Sequence, residues 1–226
     1  MIRALIFDFD GLMLDTEGPD YRAWQELYQE HGGDLALSLW TQCIGRSGDY
    51  FDALGHLEEQ IGRRLDREPL LLRQRVRHRE MVEAEALLPG VEDYLADARR
   101  MGLKLAIASS GSRDWVTGHL VRLGLEEYWT CIRCWGDVER AKPEPDLYLA
   151  AIESLDVAPH EAIAFEDSPN GILAAKRAGL FCVAVPNQLT EKLDLSGADL
   201  RLKSLAELSL ADLISRIPDG STPCPT

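Results

Sequence analysis

The sequence has few cysteines, a deficit of positive charge and no long hydrophobic run. Its five cysteines are an odd number without the spacing of a disulfide framework. Cys131 and Cys134 form a CxxC pair, but a structural zinc site needs a second pair or suitably spaced histidines, so we expect buried thiols beside a short strand. The apolar N-terminal run covers only about six residues before Asp8, too few for a signal peptide or a membrane span. We expect a soluble, cytoplasmic protein with no membrane partner.

The charge balance argues against nucleic acid as a partner. Lysine and arginine number 24 against 38 aspartates and glutamates, which gives a net charge of −14. Such a chain repels phosphate backbones and anionic lipid surfaces in general. Hydrophobic residues make up 46% of the 226 positions, enough for one core domain and a modest second module. An acidic enzyme can still bind a small phosphate ester where a lysine and a metal ion concentrate positive charge in a cleft.

The most informative stretch is ALIFDFDGLMLDTE, residues 4–17. Residues 4–7 read as a buried strand, and Asp8 and Asp10 follow it. In an extended backbone these two carboxylates point to the same side, and Gly11 permits a sharp turn or a close approach to a ligand. Because adjacent carboxylates repel each other, the pair indicates either a metal site or a nucleophile with an acid/base beside it. Two such aspartates taken alone are also compatible with an exposed turn.

Hydrophobic periodicity divides the chain into a helical insert and an alternating α/β part. Helical patterns cover 19–31, 50–61 and 68–86, with no convincing strand between Asp15 and Leu88. The remaining part alternates strands with helices, at 91–101, 103–108, 113–123, 131–135, 146–155, 162–165, 169–179 and 181–185. This alternation predicts a Rossmann-like parallel sheet with helices on both faces. We expect a core of residues 1–16 and 88–226, a helical module at 17–87, and a loose tail at 218–226.

Chemically useful side chains follow three of the predicted strands. Parallel sheets bind ligands at the carboxyl ends of their strands, where Asp8, Ser109 and Asp167 would meet. Aspartate oxygens suit Mg²⁺, whereas Lys142 and the Ser109 hydroxyl suit phosphate oxygens. The backbone N–H of Ser110 lies at a strand-to-loop junction that suits an oxyanion. The sequence thus predicts a metal and phosphate site at this edge.

In this order and spacing the motifs resemble those of the haloacid dehalogenase superfamily. The resemblance rests on DFDGLMLDTE, the Ser109 strand end, the run 142–146 (KPEPD) and Glu166-Asp167-Ser168. It extends over nearly the whole chain except the last ten or so residues. More narrowly, the chain is similar to the capped phosphatases of the β-phosphoglucomutase-like group, which implies that the helical module at 17–87 is a cap domain.

The resemblance also implies a role for each motif residue. Asp8 would be the nucleophile that forms an aspartyl-phosphate, and Asp10 would protonate the leaving alcohol and later deprotonate water. Mg²⁺ would be held by the Asp8 carboxylate, the Asp10 carbonyl oxygen and Asp167, with Glu166 in support. The transferring phosphoryl group would be bound by Ser109 and Lys142.

The resemblance leaves the reaction open between hydrolysis and phosphate transfer. We favour a phosphatase for a small sugar or nucleoside monophosphate, with a β-phosphoglucomutase-type mutase as the alternative. The histidine and arginine that the mutase uses in its cap correspond to Asp20 and Gly48 here, although Arg46 is available nearby. Asp20, Arg46 and Ser47 are therefore the candidates for substrate contact in the cap. A non-catalytic binding module of the same fold is a third hypothesis.

Other residues of the helical module have simpler interpretations. Trp24 is expected to pack inside the module. The arginines of 63–79 are spread around a helix, which predicts a solvated surface paired with glutamates, and His78 among them is expected in solvent. We expect a monomer or a weak homodimer.

Overall fold

The computed structural model describes residues 1–41 and 51–217. The predicted substrate-contacting residues Arg46 and Ser47, the position of Gly48 and the predicted tail at 218–226 lie outside these ranges. Within the two described ranges, no helix combines the length and apolar character required to cross a lipid bilayer.

The core is a sheet of six parallel strands, which confirms the predicted Rossmann-like α/β class. The strands are β1 (Ala4–Phe7), β2 (Lys104–Ser112), β3 (Cys131–Trp135), β4 (Ala162–Glu166), β5 (Phe181–Ala184) and β6 (Leu200–Arg201). Their order in the sheet is β3-β2-β1-β4-β5-β6. The helices of the core are α5 (Val91–Arg100), α6 (Arg113–Leu123), α7 (Asp146–Leu155), α8 (Pro169–Arg177) and α9 (Leu210–Ser215).

Strand β1 lies at the centre of this core. It pairs in parallel with β2 on one side and with β4 on the other, so that Phe7 lies opposite both Ile107 and Phe165. All four residues of β1 are fully buried because helices cover both faces of the sheet. Its side chains alternate accordingly: Leu5 and Phe7 belong to one hydrophobic cluster, and Ala4 and Ile6 to the other.

A helical insert follows β1 and packs around a hydrophobic cluster of its own. Its helices are α1 (Glu17–Glu30), α2 (Leu37–Trp40), α3 (Ala53–Ile61) and α4 (Arg67–Glu83). The cluster includes Trp24, which is confirmed as a packing residue of the insert, together with Leu27 and Leu57. Three arginines of α4, Arg67, Arg73 and Arg77, pair with carboxylates of the insert, as predicted; Arg77, for example, lies 2.8 Å from Glu26.

The two segments that join the insert to the core run beside each other. Leu14 forms an isolated antiparallel bridge with Leu87. The backbone N–H of Leu88 donates to the Met13 carbonyl oxygen at 2.9 Å. The chain therefore passes between the core and the insert through two paired segments.

Two short elements were not predicted from the sequence. Helix α2 and strand β6 span four and two residues, too few to show a periodicity. Strand β6 is defined by its parallel pairing with β5.

The cysteine prediction is confirmed: Cys134 is buried in β3, Cys131 is half-buried, and both are free thiols. Burial raises the pKa of the Cys134 thiol to about 11.

Candidate active site

The first motif places Asp8 and Asp10 at the carboxyl end of β1. The Asp8 N–H donates to the Phe165 carbonyl oxygen at 3.0 Å, which continues the ladder one residue beyond the strand. Phe9, between the two aspartates, is fully buried in a hydrophobic cluster. The extended backbone therefore directs the two carboxylates away from the core, as the sequence predicts.

Gly11 allows the chain to turn directly after these aspartates. Its φ of +78° lies in the left-handed region, where a side chain is strained. A Cβ atom there would lie 2.5 Å from Asp167 Oδ2 and 2.7 Å from Asn187 Nδ2. Only glycine therefore lets the first motif approach Asp167 this closely.

Lys142 lies between two buried carboxylates. Its Nζ is 2.6 Å from Asp8 Oδ1 and 2.6 Å from Glu166 Oε1. Burial alone lowers the pKa of Lys142, but the charges of Asp8 and Glu166 outweigh it and hold that pKa above its usual value. The lysine is consequently a fixed positive charge beside Asp8.

Three carboxylates surround this lysine with an excess of negative charge. One oxygen each of Asp8, Glu166 and Asp167 lies within 4.8 Å of the others, and all three residues are buried. Burial raises the pKa of each carboxyl group; that of Glu166 reaches about 7, although Lys142 opposes the rise. Glu166 Oε1 accepts a hydrogen bond from the Tyr148 hydroxyl at 2.5 Å. Glu166 Oε2 is buried and, among the described residues, has no hydrogen-bond partner. These hard oxygen donors and their uncompensated charge fit a divalent cation such as Mg²⁺.

Ser109 and Ser110 lie in the last residues of strand β2, which runs four residues beyond the predicted end at 108 with a register shift against β3, and Ser109 is next to Asp10. The Ser109 hydroxyl lies 3.3 Å from Asp10 Oδ2 and accepts the backbone N–H of Gly111 at 2.9 Å. Ser109 is fully buried, whereas Ser110 is exposed. The structure thus brings the second motif to the first, as the order of strands predicts.

Two polar residues of the site were missed by sequence reasoning. The Trp115 indole donates to Asp10 Oδ1 at 2.8 Å. Asn187 Nδ2 donates to Asp167 Oδ2 at 2.9 Å and to the Gly11 carbonyl oxygen at 3.1 Å. Only their positions in the sequence could have indicated them. Trp115 is in the first turn of the helix that follows β2, and Asn187 is in the loop after β5.

Glu17, at the start of α1, is a further carboxylate near Asp10. Its Oε2 atom is buried and has no hydrogen-bond partner among the residues that the structure describes. Burial, with the negative charge of Asp10 as the next cause, raises the pKa of Glu17 to about 8, while a hydrogen bond with Asn187 opposes the rise. Sequence reasoning gave Glu17 no role in this site.

Asp20 and His78 lie between α1 and α4. Asp20, a predicted substrate contact, is half-buried and accepts a hydrogen bond from Gln74 at 2.6 Å. Burial raises its pKa, and His78 and Gln74 oppose the rise. The prediction that His78 is in solvent is wrong: its Nε2 lies 3.0 Å from the Thr16 carbonyl oxygen, and its ring stacks on Trp115. Tertiary packing of α4 toward the core buries part of this side chain.

The model of the haloacid dehalogenase-like hydrolases matches residues 5–185, which contain all the motifs described above. The chain belongs to the haloacid dehalogenase-like hydrolase family. As a member of this family it is an enzyme, a hydrolase whose relatives include proteins named as phosphatases.

Relatives in this hydrolase family match almost the full length of the chain. The protein YhcW of Bacillus subtilis (strain 168), which carries a provisional phosphatase name, is 48% identical over 96% of this chain and 98% of its own. Validoxylamine A 7'-phosphate phosphatase of Streptomyces hygroscopicus subsp. limoneus is 32% identical over 92% of this chain and 96% of its own. The crystal structure of CbbY from Rhodobacter sphaeroides in complex with phosphate is 31% identical, with a TM-score of 0.74 over 95% of this chain and 100% of that one.

Proposed function

We propose that this hydrolase is a Mg²⁺-dependent phosphatase that cleaves a small phosphate monoester of a sugar or a similar polyol through an aspartyl-phosphate on Asp8. The observation that carries the proposal is the buried Asp8 carboxylate, with a charged lysine 2.6 Å away and a second aspartate two residues along the chain. A nucleophile for phosphorus, a cation for the phosphoryl group and a proton donor are then available at one point.

The chemistry follows from these positions. Asp8 attacks phosphorus in line, and the bond from phosphorus to the leaving oxygen breaks as Asp10 gives that oxygen a proton. Asp10 then takes a proton from a water molecule that attacks the aspartyl-phosphate. The bond between phosphorus and Asp8 breaks, and inorganic phosphate leaves. Lys142 and the Ser109 hydroxyl hold the phosphoryl oxygens during both transfers.

Mg²⁺ would be held by Asp8, Asp167 and the Asp10 carbonyl oxygen, with Glu166 in support. When bound, it supplies positive charge that lets the anionic nucleophile and the anionic phosphoryl group approach each other. The buried Oε2 atom of Glu166 and the excess of carboxylates over lysine support this assignment.

We assign residues 17–87 to a cap domain over a core of residues 1–16 and 88–226. The separate hydrophobic cluster of the insert and its paired connection to the core support this division. The exclusion of bulk water by such a cap favours phosphoryl transfer and protects the aspartyl-phosphate.

Two carboxyl groups in the first turn of α1 favour a hydroxyl-rich leaving group. Glu17 presents a buried oxygen without a described partner, and Asp20 presents a half-buried carboxylate. Carboxyl groups form hydrogen bonds with hydroxyl groups, but they supply no positive charge to bind a second phosphate. We therefore favour hydrolysis of a monophosphate over transfer to and from a bisphosphate.

The test is phosphate release from a panel of hexitol, hexose, pentose and nucleoside monophosphates with Mg²⁺. We expect Asp8→Asn to lower turnover by at least about 1,000-fold, since the nucleophile is lost. Asp97→Asn is the matched control, because Asp97 lies on the surface beside Arg100. No release by the wild-type protein, or equal release by Asp8→Asn, would contradict the proposal. Hexose phosphate interconversion that requires a bisphosphate primer would instead indicate the mutase.

A further inference from the structure

The Asp10 carboxylate is held at both of its oxygens. The Trp115 indole N–H donates to Oδ1 at 2.8 Å, and the Ser109 hydroxyl lies 3.3 Å from Oδ2. Ser109 is also a proposed ligand of the phosphoryl group, so its hydroxyl would turn away from Asp10 when substrate binds. The bond from Trp115 then remains and holds Oδ1 in place.

The indole itself is firmly oriented. Trp115 lies in the first turn of α6, where its backbone N–H donates to Ser112 Oγ at 3.3 Å. Its ring packs edge to face on the buried His119, with centroids 4.4 Å apart and an interplanar angle of 80°. Aromatic pairs of this geometry add stability beyond the area that they bury.

The same ring also contacts the helical insert. His78 of α4 stacks on Trp115 with centroids 5.5 Å apart and an interplanar angle of 28°. The Nε2 atom of His78 lies 3.0 Å from the carbonyl oxygen of Thr16, the residue before α1. Trp115 is therefore packed by the core and by the insert while its N–H is directed at Asp10.

We propose that Trp115 is a positioning residue that orients Asp10 for proton transfer to the leaving alcohol, an inference that rests on the proposed phosphatase activity. An N–H donor on Oδ1 directs the transferable proton to Oδ2, the oxygen on the Ser109 side where the phosphoryl group binds. His78 of the insert keeps the indole in the plane that this geometry requires. Proton transfer by a positioned acid is sensitive to such orientation.

Leaving-group dependence separates this role from a merely structural one. An alkyl phosphate needs a proton on its departing oxygen, whereas p-nitrophenyl phosphate releases a stable phenolate that does not. In Trp115→Phe, an aromatic ring remains at this position, but the indole N–H donor is lost. With Mg²⁺ present, we expect kcat/KM for the best alkyl substrate to fall by about 10- to 100-fold. The value for p-nitrophenyl phosphate should change by less than about threefold, since kcat/KM reports the first transfer step.

Trp129→Phe is the matched control. The Trp129 indole N–H is buried without a hydrogen-bond partner among the described residues, and its ring packs on Phe7 with centroids 6.0 Å apart. Both kcat/KM values of Trp129→Phe should match those of the wild-type protein.

Equal losses on both substrates, or no loss on either, in Trp115→Phe would overturn the proposal while leaving the phosphatase activity established. If Trp115→Phe does not fold, His78→Leu provides the second test, because it removes the ring that stacks on the indole. We expect a loss of about threefold or more confined to the alkyl phosphate. A loss shared by both substrates, or wild-type values on both, would overturn the proposal. Absence of phosphate release by the wild-type protein would instead refute the proposed function itself.

Discussion

Replacing Lys142 with methionine removes the cation between Asp8 and Glu166 while keeping a long, unbranched side chain. The ammonium group lies 2.6 Å from each carboxylate, and only 6% of the lysine side chain is exposed. Removing one partner of a buried ion pair costs about 3–5 kcal/mol, because the other charge is left uncompensated. In a chain of this size, 1 kcal/mol corresponds to about 2–4 °C. We therefore expect the melting temperature of metal-free Lys142→Met to fall by roughly 6–20 °C.

The loss of stability in Lys142→Met should depend on pH in a defined direction. Burial raises the pKa of Glu166 from 4.5 to about 7 even with Lys142 present. A carboxyl group with a raised pKa opposes folding when it is ionised. The contribution of Glu166 to stability is therefore fully present below pH 4.5 and is lost as the pH rises through 7. Loss of Lys142 moves this pKa further upward. The difference in melting temperature from the wild-type protein, followed by circular dichroism in EDTA, should be largest near pH 8 and shrink toward pH 5.

A control and a metal titration complete this experiment. Lys176→Met is the control, because it removes a surface ion pair with Asp199 in which the lysine side chain is 35% exposed. It should lower the free energy of unfolding by less than about 1 kcal/mol. Saturating Mg²⁺ should restore part of the stability of Lys142→Met, about 2.7 kcal/mol at a concentration 100 times Kd. Equal melting temperatures for the two variants in EDTA would refute the reasoning.

Two further predictions concern stability measured by urea unfolding. Gly11→Ala should cost about 2 kcal/mol more than Gly32→Ala, because both have a φ near +80° but only the Cβ at Gly11 meets Asp167; equal costs would contradict this. Hydrogen bonds from Arg67 hold the pKa of Glu58 at about 2, below the ordinary 4.5, so this carboxylate stabilises the protein above pH 4.5 and loses its effect toward pH 2. Glu58→Gln should lower the urea midpoint at pH 7 but not at pH 2, and an unchanged gap at low pH would exclude the ion pair as the cause.

The sequence predicted the sheet well because its central strands are buried on both faces. Strands of this kind appear as continuous apolar runs, and the runs at 103–108 and 162–165 correspond to β2 and β4. Strand β6 has two residues, and it is a strand only because β5 pairs with it. Hydrophobic periodicity therefore predicts elements whose own sequence shows a burial pattern. It misses short strands that are defined only by pairing with a neighbouring strand.

The same division applies to the contacts of the insert. The apolar spacing of α1 was sufficient to place Trp24 in a packed cluster. The location of His78 was not predictable from its own helix, whose arginine-rich sequence indicated solvent on every side. Contact with Trp115, which lies 37 positions away in the sequence, depends on how the insert meets the core.

The sequence by itself determined that Asp8, Ser109 and Asp167 lie at or near the carboxyl ends of strands of one parallel sheet, because residue spacing decides which side chains lie there. The tertiary structure alone decided that Lys142 contacts two carboxylates at once and that an indole N–H is bonded to Asp10. Those contacts depend on distances between side chains far apart in the chain, which no local pattern records. The candidate site residues were therefore readable from local spacing, whereas the charge balance around Lys142 and the orientation of the Asp10 carboxylate depend on how the strands and helices pack together.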